Sequence, residues 1–237
     1  MPVEVLSFDL SQRGTPVGSH VLRTELRGST GHMEGRLQLS GPLGRCVVTQ
    51  TSRSHVRQHH SLSFREEQQK RGDNRTFEVR FDRGSGLVHA VRSGSDRAEE
   101  PLTKAFRDPL GMLFEIRQQD PDSTAFTIPM LGKDVQVTLI QSTALETAVG
   151  PRPARVYRLF PGGSLLWIGE DDANVILKMQ QKIAGSPVDV VLTRIASEQG
   201  KTREAGSGRA AAAPAGQSRD GRKSRSRRGR RRRRRQE

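Results

Sequence analysis

The chain has 237 residues, of which 40 are Lys or Arg and 26 are Asp or Glu, giving a formal net charge of +14. Residues 201–237 hold 15 of the basic and 3 of the acidic side chains, so the first 200 residues are close to neutral and the excess charge sits at one end. A single cysteine excludes an internal disulfide and a cysteine-rich zinc site, and no run approaches the ~18 apolar residues of a membrane-spanning helix.

About 200 residues fit one ordinary domain. Near Met1 there is neither a basic n-region nor an apolar h-region, so the expected location is the cytoplasm, with export expected only if the true start lies upstream. The first hundred residues alternate with period two. Phe77, Val79 and Phe81 share one face and Glu78, Arg80 and Asp82 the other, as a half-buried antiparallel strand requires. The same rule predicts strands over 3–10, 17–26, 33–40, 45–51, 59–65, 76–82 and 87–92, with turn residues at 28–31, 41–44, 71–74 and 83–86. Cys46 falls in one of these strands and reads as a small buried hydrophobe.

The period changes at Asp108-Pro109. An Asp side chain can accept from the first free backbone N–H groups of a helix, and Pro suits the first helical position. Phe106, Leu110, Leu113 and Phe114 then recur at helical spacing until Asp120-Pro121, predicting one amphipathic helix of about three turns. Strands resume over 126–131, 134–140, 155–160, 165–169, 175–180 and 188–195, with loops expected at 150–153 and 161–163. The expected class is therefore all-β: an antiparallel, strongly curved sheet or partly open barrel with one amphipathic helix, followed by a disordered basic tail. Past Ile195 the only residue of the hydrophobic set is Ala, which leaves nothing to offset the entropy of ordering. The expected divisions are a β domain over 1–197, a low-complexity linker over 198–220 and a polybasic tail over 221–237.

The stretch from Asp108 through Leu110-Gly111-Met112-Leu113-Phe114-Glu115-Ile116 to Arg117, followed by Phe160-Pro161-Gly162-Gly163 and Trp167-Ile168-Gly169-Glu170-Asp171, resembles the bacterial domain-of-unknown-function 3108 family. That family's pattern has an Asp-Pro helix start with an Arg at the helix end, then a tryptophan strand, an acidic turn and a closing pair of strands. The resemblance spans roughly residues 3–195 and implies a curved antiparallel sheet wrapped around a helix, reminiscent of lipoprotein-carrier folds. It implies no activity. Family members are usually exported and lack a polyarginine tail, and this sequence departs from them on both points.

Candidate chemistry in the body is sparse. His55 and His59 are spaced as zinc ligands on a helix would be, with His60, Glu66 and Glu67 nearby. The stretch reads as a strand, however, so adjacent side chains point to opposite faces and solvated strand histidines are expected. Glu170-Asp171-Asp172 lacks the alternating ligands of a calcium loop and reads as a charged turn. Trp167 and Tyr157 read as core or rim residues, and Arg71-Gly72-Asp73 as a hairpin turn. No nucleophile elbow, phosphate loop, dinucleotide fingerprint or paired zinc histidines occur, so no catalytic, cofactor or metal residue is assigned.

The tail carries the functional expectation. Its basic residues are Arg222, Lys223, Arg225, Arg227, Arg228, Arg230, Arg231, Arg232, Arg233, Arg234 and Arg235. Guanidinium groups bond two phosphate oxygens at once, stack on bases and release counterions, so the expected partner is RNA or DNA, bound without sequence specificity. The expected function is a non-enzymatic β-domain protein associated with nucleic acid through this tail, with room for a protein partner of the β domain. The competing expectation is a carrier or sensor that holds an apolar ligand inside the curved sheet.

Overall fold

A computed structural model of the chain describes residues 2–171 and 173–199. Fourteen strands run in order: β1 (Pro2–Gln12), β2 (Thr15–Arg27), β3 (Thr30–Leu39), β4 (Cys46–His55), β5 (His60–Lys70), β6 (Asp73–Asp82), β7 (Leu87–Arg92) and β8 (Asp96–Pro101), then β9 (Ala125–Met130), β10 (Lys133–Thr147), β11 (Gly150–Phe160), β12 (Ser164–Gly169), β13 (Ile176–Ile183) and β14 (Ser186–Gln199). The one α-helix, α1 (Pro109–Gln118), lies between β8 and β9.

All fourteen strands form one antiparallel sheet in the order β8-β7-β6-β5-β4-β3-β2-β1-β14-β13-β12-β11-β10-β9. Two meanders thus meet where the first strand pairs with the last, and β8 and β9 are left as the free edges. Register shifts in β1, β4, β10 and β12 bend the sheet, as bulges do, and it curls around α1 without closing. The inward residues Leu6, Phe8, Leu10, Leu22, Phe64, Val79, Val137, Leu166, Val190 and Leu192 form one core with Leu110 and Ile116 of α1. Gly18 is required by this curvature, because a Cβ there would sit 2.0 Å from the main-chain oxygen of Gln38 on β3.

The thirteen strands expected from alternation are all present, and α1 starts at the expected Asp-Pro pair. Three details differ. Strand β8 was not expected, because all six of its residues, Asp-Arg-Ala-Glu-Glu-Pro, are exposed and show no apolar alternation. Charges and a terminal Pro are what an edge strand needs to deter further pairing, so its position explains its composition. The expected loop at 150–153 is strand instead, with Pro151 opposite Glu146 and Pro153 opposite Ala144. The Pro153 carbonyl accepts from Glu170 N–H on the β12 side, so its ring nitrogen faces away from β10, where no donor is needed. Finally, β14 runs over Ser186–Gln199, longer at both ends than the expected strand over 188–195.

Candidate functional site

Two buried polar clusters fix α1 in the sheet, one at each end. At its N-terminus the Asp108 carboxylate accepts from Leu110 N–H and Gly111 N–H at 3.0 Å each through Oδ1. Its Oδ2 accepts from the hydroxyls of Ser52 on β4 (2.7 Å) and Ser61 on β5. Ser61 Oγ in turn accepts from Asp108 N–H (2.8 Å), and Ser61 N–H donates to the Phe106 carbonyl (2.9 Å). A capping residue therefore also joins the helix to two strands. Burial raises the Asp108 carboxyl above its usual range, with the accepted hydrogen bonds opposing it.

Gly111 is what allows this approach. A Cβ there would lie 3.2 Å from Ser61 Oγ and 3.3 Å from both Asp108 Oδ2 and Ser54 Oγ. Arg107, just before the cap, pairs with Glu115 eight residues along, and its backbone N–H donates to the Pro129 carbonyl on the β9 edge (2.8 Å). Ser52, Ser61 and Asp108 are 3%, 1% and 3% exposed, and their bonds anchor the helix to the sheet.

At the C-terminal end Arg117 forms a two-bond pair with Glu4 of β1, at 2.6 and 2.8 Å. It also donates to the carbonyls of Ala173 (3.1 Å) and Asn174 (2.9 Å), so one side chain ties the helix, β1 and the turn after β12 together. The Asn174 side chain continues the network by accepting from Arg155 Nη2 at 2.8 Å. Asp108 and Arg117, the two ends of the helix motif, thus tie α1 to the sheet, Arg117 through the turn that follows the tryptophan strand.

The histidines do not assemble a metal centre. His55 and His60 are cross-strand partners with rings stacked 5.3 Å apart, and His59 is exposed in the turn between them. His60 is 4% exposed, which corrects the expectation of solvated histidines: the turn after His55 directs this ring into the sheet. Among the described residues no three His, Cys, Asp or Glu side chains converge as metal ligands do. Tyr157 is buried and Trp167 half-buried, with Lys178 Nζ 5.0 Å from the indole centre.

On the face opposite α1, β3 to β7 form a groove of about 640 Å³ that includes His32, Arg53, Arg65, Arg80 and His89. Its charge is mostly met internally: Arg65 pairs with Glu78 at 2.9 Å, Arg80 with Asp82 at 3.6 Å and His89 with Glu99 at 3.0 Å. Such exposed pairs lower the groove's pull on an outside anion.

The resemblance noted from the motifs is matched by a family model, Protein of unknown function (DUF3108), over residues 7–193. The chain belongs to the DUF3108 family. Among curated proteins none matches it. A solved structure similar to the DUF3108 body is the beta-barrel-like protein of domain of unknown function DUF1849 from Brucella abortus, at 9% identity and a TM-score of 0.54, covering 84% of this chain and 99% of that one. At such identity the likeness concerns the fold alone. The expected tail residues, Arg222 to Arg235, lie outside the described residues, as does Asp172 of the acidic turn.

Proposed function

We propose that this DUF3108 protein associates with nucleic acid electrostatically and without sequence specificity through the arginine-rich segment 221–237, its β domain serving as a non-enzymatic scaffold. The observation that carries this reading is the charge partition: eleven of the last seventeen residues are Lys or Arg, while the first 200 are close to neutral. In the body, the arginine groove of β3 to β7 is largely neutralised by its own carboxylates, which weakens it as a competing anion site.

The carrier reading is disfavoured by the packing around α1. The space left between the helix and β1 to β3 is about 20 Å³, bordered by Leu6, Leu22, Met33, Leu110 and Phe114. That is room for about one water molecule, far below the roughly 300 Å³ or more of a small-molecule site. The helix occupies the concavity where an apolar cargo would sit.

Nucleic-acid binding by the full-length protein should weaken steeply with salt. If about six arginines engage phosphates, log K should fall against log salt with a slope of roughly −4 to −5. Deleting 221–237 should abolish retention and leave the thermal transition unchanged. Undiminished binding by the truncated protein would overturn the proposal.

A further inference from the structure

A second polar cavity, of about 460 Å³, opens beside the turn after β12 and is bordered by Leu139, Ser142, Arg155, Glu170, Asp171 and Asn174. Arg155 is the unusual member. It is 6% exposed, and its only hydrogen bond among the described residues is the one from Nη2 to Asn174 Oδ1. Its Nε and Nη1 are buried without acceptors, and no carboxylate of the described residues lies within salt-bridge distance. Every other buried arginine has such a partner: Arg107 holds Glu115, and Arg117 holds Glu4. A buried guanidinium held by one amide oxygen and no paired carboxylate is unfavourable, so an anion reaching it from the cavity would be stabilised there.

Three neighbours define what that anion carries. Asp171 uses Oδ2 to accept from Arg152, and its Oδ1 is a buried acceptor with no donor. The buried Tyr157 sits on the same strand two residues from Arg155, whose guanidinium lies 6.0 Å from the tyrosine ring centre and beside its hydroxyl. Glu170, exposed at the rim, and Asp171 place negative charge at the entrance. A doubly charged phosphate would be repelled by these carboxylates, whereas a monocarboxylate bearing its own ammonium or hydroxyl donor would satisfy both Arg155 and Asp171. Leu139 and the neighbouring Pro121 add an apolar wall, and the volume suits a small organic molecule.

We propose that this cavity binds a small organic monocarboxylate carrying a hydrogen-bond donor, an amino acid or a hydroxy acid, with the carboxylate on Arg155 and Asn174 and the donor on Asp171. Arg155 also lies at the end of the path Glu4–Arg117–Asn174, so an occupant here bears directly on the residue that holds the C-terminal end of α1.

The test is a thermal-shift and calorimetric screen of the full-length protein against the twenty amino acids, lactate, malate and inorganic phosphate. At ten times its dissociation constant a bound monocarboxylate should raise the unfolding midpoint by about 3 °C. Arg155→Met should lose that response while its own midpoint is unchanged or raised, because it removes an uncompensated buried charge. Ser142→Leu, at an exposed position, should block binding without touching Arg155. The proposal is overturned if no monocarboxylate gives a saturable shift, if phosphate does as well as the best of them, or if Arg155→Met retains the response.

Discussion

His20 on β2 gives the fold a built-in sensitivity to acid. The ring is 8% exposed, packs 6.0 Å from Phe8, and leaves Nδ1 buried without a partner. Burial lowers its pKa from 6.5 to about 4. The unfolded chain therefore takes up a proton near pH 6.5 while the folded chain resists it until about pH 4. The contribution to stability is complete above pH 6.5 and is lost as the pH falls towards 4. Between pH 7.5 and pH 5 the loss from this one group is about 2 kcal/mol, out of about 3 kcal/mol in total. Asp108 acts in the opposite sense, because its carboxyl is raised by burial, and His60 in the same sense, so the wild-type slope alone does not isolate His20. His20→Gln removes the titration and leaves the other groups in place. Urea denaturation of both proteins at pH 7.5 and pH 5 should show wild type losing about 2 kcal/mol more than the variant across that interval. Equal losses in the two proteins would refute the assignment.

The helix anchors give two further expectations. Asp108→Ala should destabilise by about 3 kcal/mol, because it uncaps α1 and leaves the Ser52 and Ser61 hydroxyls without their acceptor; Gly111→Ala should also destabilise, through its contacts with three oxygens, and both are read from chemical denaturation. Arg117→Ala should cost about 3 kcal/mol, whereas Glu4→Gln should cost about half of that, since Glu4 is 29% exposed and Arg117 keeps two carbonyl acceptors. A double-mutant cycle on this pair checks the order, and a larger loss for Glu4→Gln would contradict it.

Much of this architecture was legible as pattern. Alternation over Phe77, Val79 and Phe81 placed a strand with its inner face correctly, and Asp108-Pro109 marked both the start of α1 and the side chain that caps it. These succeed because the signals are local: side-chain alternation and capping involve residues a few positions apart. The edge strand β8 was hidden because its pairing is carried by main-chain bonds to β7 while its side chains stay in water. Pro151 and Pro153 read as loop residues because a strand's tolerance for proline depends on which side has a neighbour, and that is a property of the assembled sheet.

The sequence by itself determined the strand and helix content, the neutral body and the concentration of arginine after residue 200, since each follows from composition or short-range spacing. Only the tertiary structure decided that β1 and β14, paired as Val3 with Glu198 and Leu10 with Val190, close the two meanders into one sheet. It alone decided that α1 packs into the core through Leu110 and Ile116 and that, among the described residues, Arg155 has no carboxylate within salt-bridge distance while Arg117 finds Glu4, more than a hundred residues away. Charge partners distant along the chain are set by how the sheet curls, and no local pattern records that curvature.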